Sequence, residues 1–173
     1  MKKIKALLEK HREIVLYLIF GVLTTLVGWG VYFAIFWGWK ALFSIPPSDV
    51  SSTVYLVGYT VAQIIQWIAA VLFAFFTNRK WVFTDADRSV STGRQLLTFS
   101  GGRVLTLGID YLVTYFGGRM LAAALPSITH ASILGAEINL ADVIAKVVAA
   151  VIVIVCNYVF SKILVFKKVK KKE

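Results

Sequence analysis

Inside stretches that are otherwise apolar, this sequence sets Asn78, Arg103, Asp110, Asp142, Lys146, Asn157, Ser161 and Lys162. An ionised group at the centre of a membrane helix costs roughly 2.5–3.5 kcal/mol on insertion scales, so each such residue has either a structural partner or a function. A guanidinium flanked by amide and hydroxyl donors suits an anion, a phosphate above all. Asp142 and Lys146 are spaced i,i+4 and could pair on one helix face. Arg103 and Asp110 are seven apart, ~10 Å along a helix, too far for direct contact. A bridge from Asp110 to Lys146 across helices is therefore expected. Chemistry of other kinds lacks its residues: the chain has no Walker pattern, no G-x-S-x-G and no H-E-x-x-H. "DAD" at 85–87 sits in a loop too short to carry a nucleotide-binding domain and reads as a polar turn. No enzyme, cofactor or metal site is expected.

The elements that must hold these residues are membrane helices. The 173 residues are 58% hydrophobic with a mean hydropathy of +0.76, above the roughly 45–50% apolar share of soluble domains. Ile14 to Trp39 and Val50 to Asn78 contain no charge, and each exceeds the ~20 residues needed to cross a bilayer. The first is too long for a signal-peptide core and has no small-residue cleavage site. Two more spans carry embedded charges, so four are expected, at 14–39, 52–77, 96–116 and 141–166. Residues 1–13 read as a basic, amphipathic cytoplasmic flank, 14–168 as the transmembrane domain and 169–173 as a basic cytoplasmic tail. The net charge of +10 gathers at both ends and between the second and third spans. By the positive-inside rule both termini are then cytoplasmic, and the charge meets anionic lipid rather than nucleic acid. The lone Cys156 lies within the fourth span and reads as packing.

"NRKWVF" at 78–83 and "SKILVF" at 161–166 share a pattern: small polar, cation, two variable positions, Val, Phe. Gly21 and Gly28 echo the spacing of Gly101 and Gly108. The expected fold is an all-α integral membrane protein of two tandem hairpins in parallel orientation. Trp81, Phe83 and Phe166 would anchor at the headgroups. At 1.5 Å per residue, Arg103 and Asn157 each lie ~13 Å below the cytoplasmic face, with Asn78, Ser161 and Lys162 about a turn nearer to it. Lys146, Asp142 and Asp110 fall in the outer half.

The connections are less informative. "SIPPSD" stops a helix, and the following Ser and Asp residues can cap the next. Gly117 and Gly118 are expected to end the third span, leaving 117–139 as an outer segment in which His130 stands alone in a solvated loop.

Taken together, "FAFFTNRKWVF", "FSGGRVLTLGIDYL" and "IAKVVAAVIVIVCNYVFSKILVFKK" resemble the GtrA-like family, particularly its Gram-positive branch associated with teichoic acid glycosylation. The resemblance covers residues 14–168. It implies a bacterial cytoplasmic-membrane protein that flips a polyprenyl-phosphate-linked monosaccharide to the outer leaflet, where a separate membrane glycosyltransferase uses it. Carried onto this chain, the family pattern falls on Ala74, Asn78, Val82, Phe83, Phe99, Arg103, Lys146 and Asn157. Ser161, Lys162 and Asp110 join them from the reading of the spans. The outer segment is longer than the family pattern. Two competing classes are a non-transporting subunit that scaffolds a glycosyltransferase and a small drug or ion exporter, for which Asp110 is the one coupling acid. Self-association is left open.

Overall fold

In a computed structural model of the chain, residues 11–47, 49–126, 131–133 and 136–167 are described. Most of the basic flank, His130 and the tail at 169–173 lie outside them. Among the described residues four helices are long and apolar enough to cross a membrane, and the chain divides into two compact units, one running to Ala86 and the other from Asp87 to Lys168.

The first unit pairs α1 (Arg12–Leu42) with α2 (Thr53–Thr77). Between them Ser44 takes a left-handed backbone (φ 49°). Asp49 Oδ1 accepts from the N–H groups of Ser51 and Ser52, and Ser52 Oγ then accepts from Tyr55 N–H to cap α2. Near this turn the helices lock through aromatic rings, Phe36 lying edge-on to Tyr55 and Tyr59. Trp39 donates its indole N–H to Val54 O at 3.0 Å. Gly58 makes room for that indole, since a Cβ there would sit 2.2 Å from Trp39 Cδ1. At the opposite end Phe20 stacks on Trp81 at 5.3 Å.

The second unit pairs α3 (Thr92–Ala124) with α4 (Leu140–Phe160). α3 does not stop at Gly117 and Gly118. Glycine inside a helix costs only about 1 kcal/mol, and here both positions face α4: a Cβ at Gly117 would meet Ala145 Cβ at 3.5 Å, and one at Gly118 would lie 2.4 Å from Asp142 Oδ1. Small residues on the other side complete the close approach, with Ala141, Ala145 and Ala149 almost fully buried. The connection also departs from an all-helical chain. Ala131–Ile133 (β1) and Ala136–Ile138 (β2) form an antiparallel hairpin with Ser132 opposite Glu137, consistent with the preference of β-branched Ile133 and Ile138 for extended backbone.

Candidate functional site

α2 and α4 end in the same way. Each passes into a five-residue π-helical turn, Asn78–Val82 in the first unit and Ser161–Val165 in the second. The N–H of Phe83 bonds Asn78 O at 2.8 Å, and that of Phe166 bonds Ser161 O at 2.8 Å. Widening the turn in this way swings the closing Val and Phe inward: Val82, Phe83, Val165 and Phe166 are all buried. Such turns are rare and frequent at functional sites.

In the first unit the polar residue at the head of the turn is Asn78, 3% exposed. Its N–H is shared between Ala74 O and Phe75 O, and Ala74 is itself buried. The side-chain Oδ1 is buried with no hydrogen-bond partner among the described residues. Leaving such an acceptor dry costs ~1–3 kcal/mol, which a hydroxyl or N–H donor from a ligand would return. Higher on α2, Gln66 donates to Gln63 Oε1 and Gln63 to the Tyr59 hydroxyl, both at 2.9 Å.

In the second unit Asn157 is buried and its Oδ1 accepts from Thr106 Oγ1 at 3.0 Å. One turn before Thr106 stands Arg103, its guanidinium carbon 5.0 Å from the centre of the Phe99 ring. Phe99 in turn lies 6.2 Å from Phe166. Arg103 therefore rests on Phe99, which packs against the phenylalanine that closes the π turn, and it has no carboxylate partner among the described residues. Ser161 is buried, and Lys162 donates to the Tyr158 hydroxyl at 3.0 Å and sits over that ring. A groove of about 280 Å³ opens beside the turn, lined by Arg94, Gln95 and Thr98 of α3 and by Leu164, Val165 and Lys167.

Farther along the second hairpin Lys146 Nζ bridges Asp110 Oδ2 at 2.5 Å. The cross-helix pairing thus wins over the i,i+4 alternative, because Asp142 is drawn against Gly118 instead. Within the second unit, then, Phe99, Arg103, Asn157 and Phe166 cluster near one end, while Asp110 and Lys146 form a separate pair. Thr106 was missed by sequence reasoning. Its signal was its place one turn from Arg103 at the depth of Asn157. The Gln63–Gln66 ladder was missed because it carries no charge and lies outside the repeated span endings that drew attention to the asparagines. Groups of His, Cys, Asp or Glu able to hold a metal do not occur among the described residues.

The chain as a whole is similar to known proteins. The family model "GtrA/DPMS, transmembrane domain" matches residues 16–166. The chain is 33% identical over 172 residues to the cell wall teichoic acid glycosylation protein GtcA of Listeria monocytogenes serovar 1/2a, covering 99% of this chain and 95% of that one. It is 31% identical to the GtcA of Listeria innocua, covering 96% and 98%. To the uncharacterized membrane protein YwcD of Bacillus subtilis it is 31% identical, covering 90% and 98%. No solved structure gives a significant match.

Proposed function

The chain belongs to the GtrA/DPMS transmembrane-domain family, and from that footing we propose that it flips a polyprenyl-phosphate-linked monosaccharide across the cytoplasmic membrane for cell-wall glycosylation. It is a multi-pass bacterial membrane protein. The acceptor polymer is of the teichoic acid class for which the Listeria relatives are named, and the glycosyltransferase that spends the sugar is a separate membrane protein.

One observation carries this reading: a guanidinium in a membrane-crossing helix, Arg103, has no counter-anion among the described residues, while Thr106, one turn along the same helix, bonds the Asn157 amide of the facing helix. A lipid phosphate supplies the missing charge and bonds to the fork of a guanidinium in two places. Both termini face the cytoplasm, so the headgroup enters past Arg94 and Lys167 and is held by Arg103 with Asn157 and Ser161. Taken by itself, the buried acceptor of Asn78 in the first unit suits a hydroxyl or N–H donor rather than a phosphate oxygen. Lys146, whose side chain is 57% exposed, is a second cationic station where phosphate exchanges with the Asp110 carboxylate. The prenyl chain stays in lipid throughout. The shared π-helical ending supports reading the two hairpins as tandem copies of one unit. Engagement of Asp110 by Lys146 also removes the acid that a proton-coupled exporter would use.

Proteoliposomes loaded with a labelled polyprenyl-phosphate hexose, challenged by an impermeant reagent outside, test the proposal. Wild-type protein should expose the lipid on the second leaflet. Arg103→Ala should slow this at least about tenfold, the scale of one lost charged contact, and Arg103→Lys should restore part of it. Full-rate flipping by folded Arg103→Ala would discard the phosphate role, and a wild-type protein that stimulates a glycosyltransferase without moving lipid would favour the scaffold instead.

A further inference from the structure

At the end of the second hairpin remote from its π turn, a cleft of about 370 Å³ is lined by Asp110, Tyr111, Thr114, Tyr115 and Arg119 of α3 and by Asp142 and Lys146 of α4. Its size falls in the roughly 300–1,000 Å³ range of small-molecule sites. Four features define what it could hold. The charges cancel, two cations against two carboxylates, and one pair is already closed by the Lys146–Asp110 bridge. An anion would meet Asp142, and a cation would meet Arg119. Thr114 Oγ1 is buried with no hydrogen-bond partner among the described residues, so its hydroxyl is left able to bond a polar ligand group. Tyr111 and Tyr115 lie parallel, 6° apart with centroids at 5.9 Å, and Arg119 sits 4.4 Å over the second ring, forming an apolar shelf edged by donors. Gly118 admits the Asp142 carboxylate, which any side chain there would displace.

Balanced charge, an orphaned hydroxyl, carboxylate acceptors and an aromatic shelf match a neutral ligand rich in hydroxyls. The geometry points to this cleft as a binding site for the uncharged glycosyl group of the carried lipid. The assignment rests on the flipping proposed above and deepens it: a phosphate held by Lys146 would bring its attached sugar to the shelf, with Asp142 and Thr114 reading hydroxyls.

The test uses full-length protein in lipid nanodiscs with two probes, polyprenyl phosphate and the same lipid bearing a neutral hexose, and reads affinity by native mass spectrometry. Wild-type protein should prefer the hexosyl lipid. Thr114→Val, Arg119→Gln and Asp142→Asn should each weaken hexosyl-lipid binding several-fold, about what one hydrogen bond is worth, and leave the bare lipid unchanged. Methyl hexoside should compete in wild type and not in Asp142→Asn. Competition by a glycosylated polymer fragment but not by methyl hexoside would overturn the assignment to the carrier's sugar. A hexose preference that survives all three substitutions overturns the cleft and leaves the phosphate site standing. Wild-type protein that binds neither lipid overturns both. Thermal melting of each variant separates a lost contact from a lost fold.

Discussion

A hydrogen-bonding group taken into hydrocarbon must find a partner, and Asn157 and Asn78 meet that demand in opposite ways. Asn157 is satisfied within the protein by Thr106, so Thr106→Val should destabilise by about 1–3 kcal/mol through the orphaned amide, read as a lowered melting temperature in detergent. Asn78 keeps an unpartnered oxygen. Asn78→Leu should therefore leave melting unchanged or slightly raised while flipping falls, a split that a purely structural asparagine would not produce. Outside the spans, Asp49 accepts from Ser52, whose hydroxyl first and N–H second hold its carboxyl below the ordinary aspartate value. A depressed folded value means the carboxylate's contribution is complete above the unfolded value and is lost as pH falls through the folded one. Ser52→Ala should move the carboxyl titration, followed by carbon NMR, back toward the ordinary value. Arg103, Asn78 and Asn157 were legible because polar residues in apolar runs are conspicuous. Thr106 and Gln66 were not: a threonine hydroxyl barely lowers hydropathy, and Gln66 lies outside the repeated span ending that drew attention to Asn78.

At the scale of elements, the two π turns are where pattern and geometry meet. "NRKWVF" and "SKILVF" announced a shared ending, and both become five-residue π turns closing on a buried Phe. The widened turn itself could not be foreseen. An i→i+5 bond differs little from i→i+4 in the chain alone, and it is selected when burial of Val and Phe outweighs the poorer helix. Phe166→Ala should remove that reward, costing about 3–5 kcal/mol, with the loss of Phe99 packing visible as a lower unfolding temperature. The paired glycines of α3 misled in the other direction. Gly117 and Gly118 looked like a stop, yet α3 runs on to Ala124 because a glycine is the residue that lets α4 pack this close. Gly118→Val should expel the Asp142 carboxylate, lower stability and abolish the hexose preference together.

For the whole molecule, the charge asymmetry makes a claim about orientation that labelling can check. In a Cys156→Ala background, Ser89→Cys should react with impermeant maleimide only from the cytoplasmic side, and Ser51→Cys only from outside. The opposite pattern at either site would reject cytoplasmic termini. Hydropathy and charge in the sequence alone determined the class of protein and the number of apolar helices long enough to span, because a 30 Å hydrocarbon layer imposes that length on any helix within it. They also marked most of the polar residues worth attention. Only the tertiary structure decided the pairings: Lys146 with Asp110 rather than Asp142, Thr106 with Asn157, and Arg103 on Phe99 without a carboxylate. Spacing along one helix says which side chains share a face. The partner that face meets depends on how closely two helices approach, and that is set by small residues such as Gly118 and Ala145, which carry no chemical signature of their own.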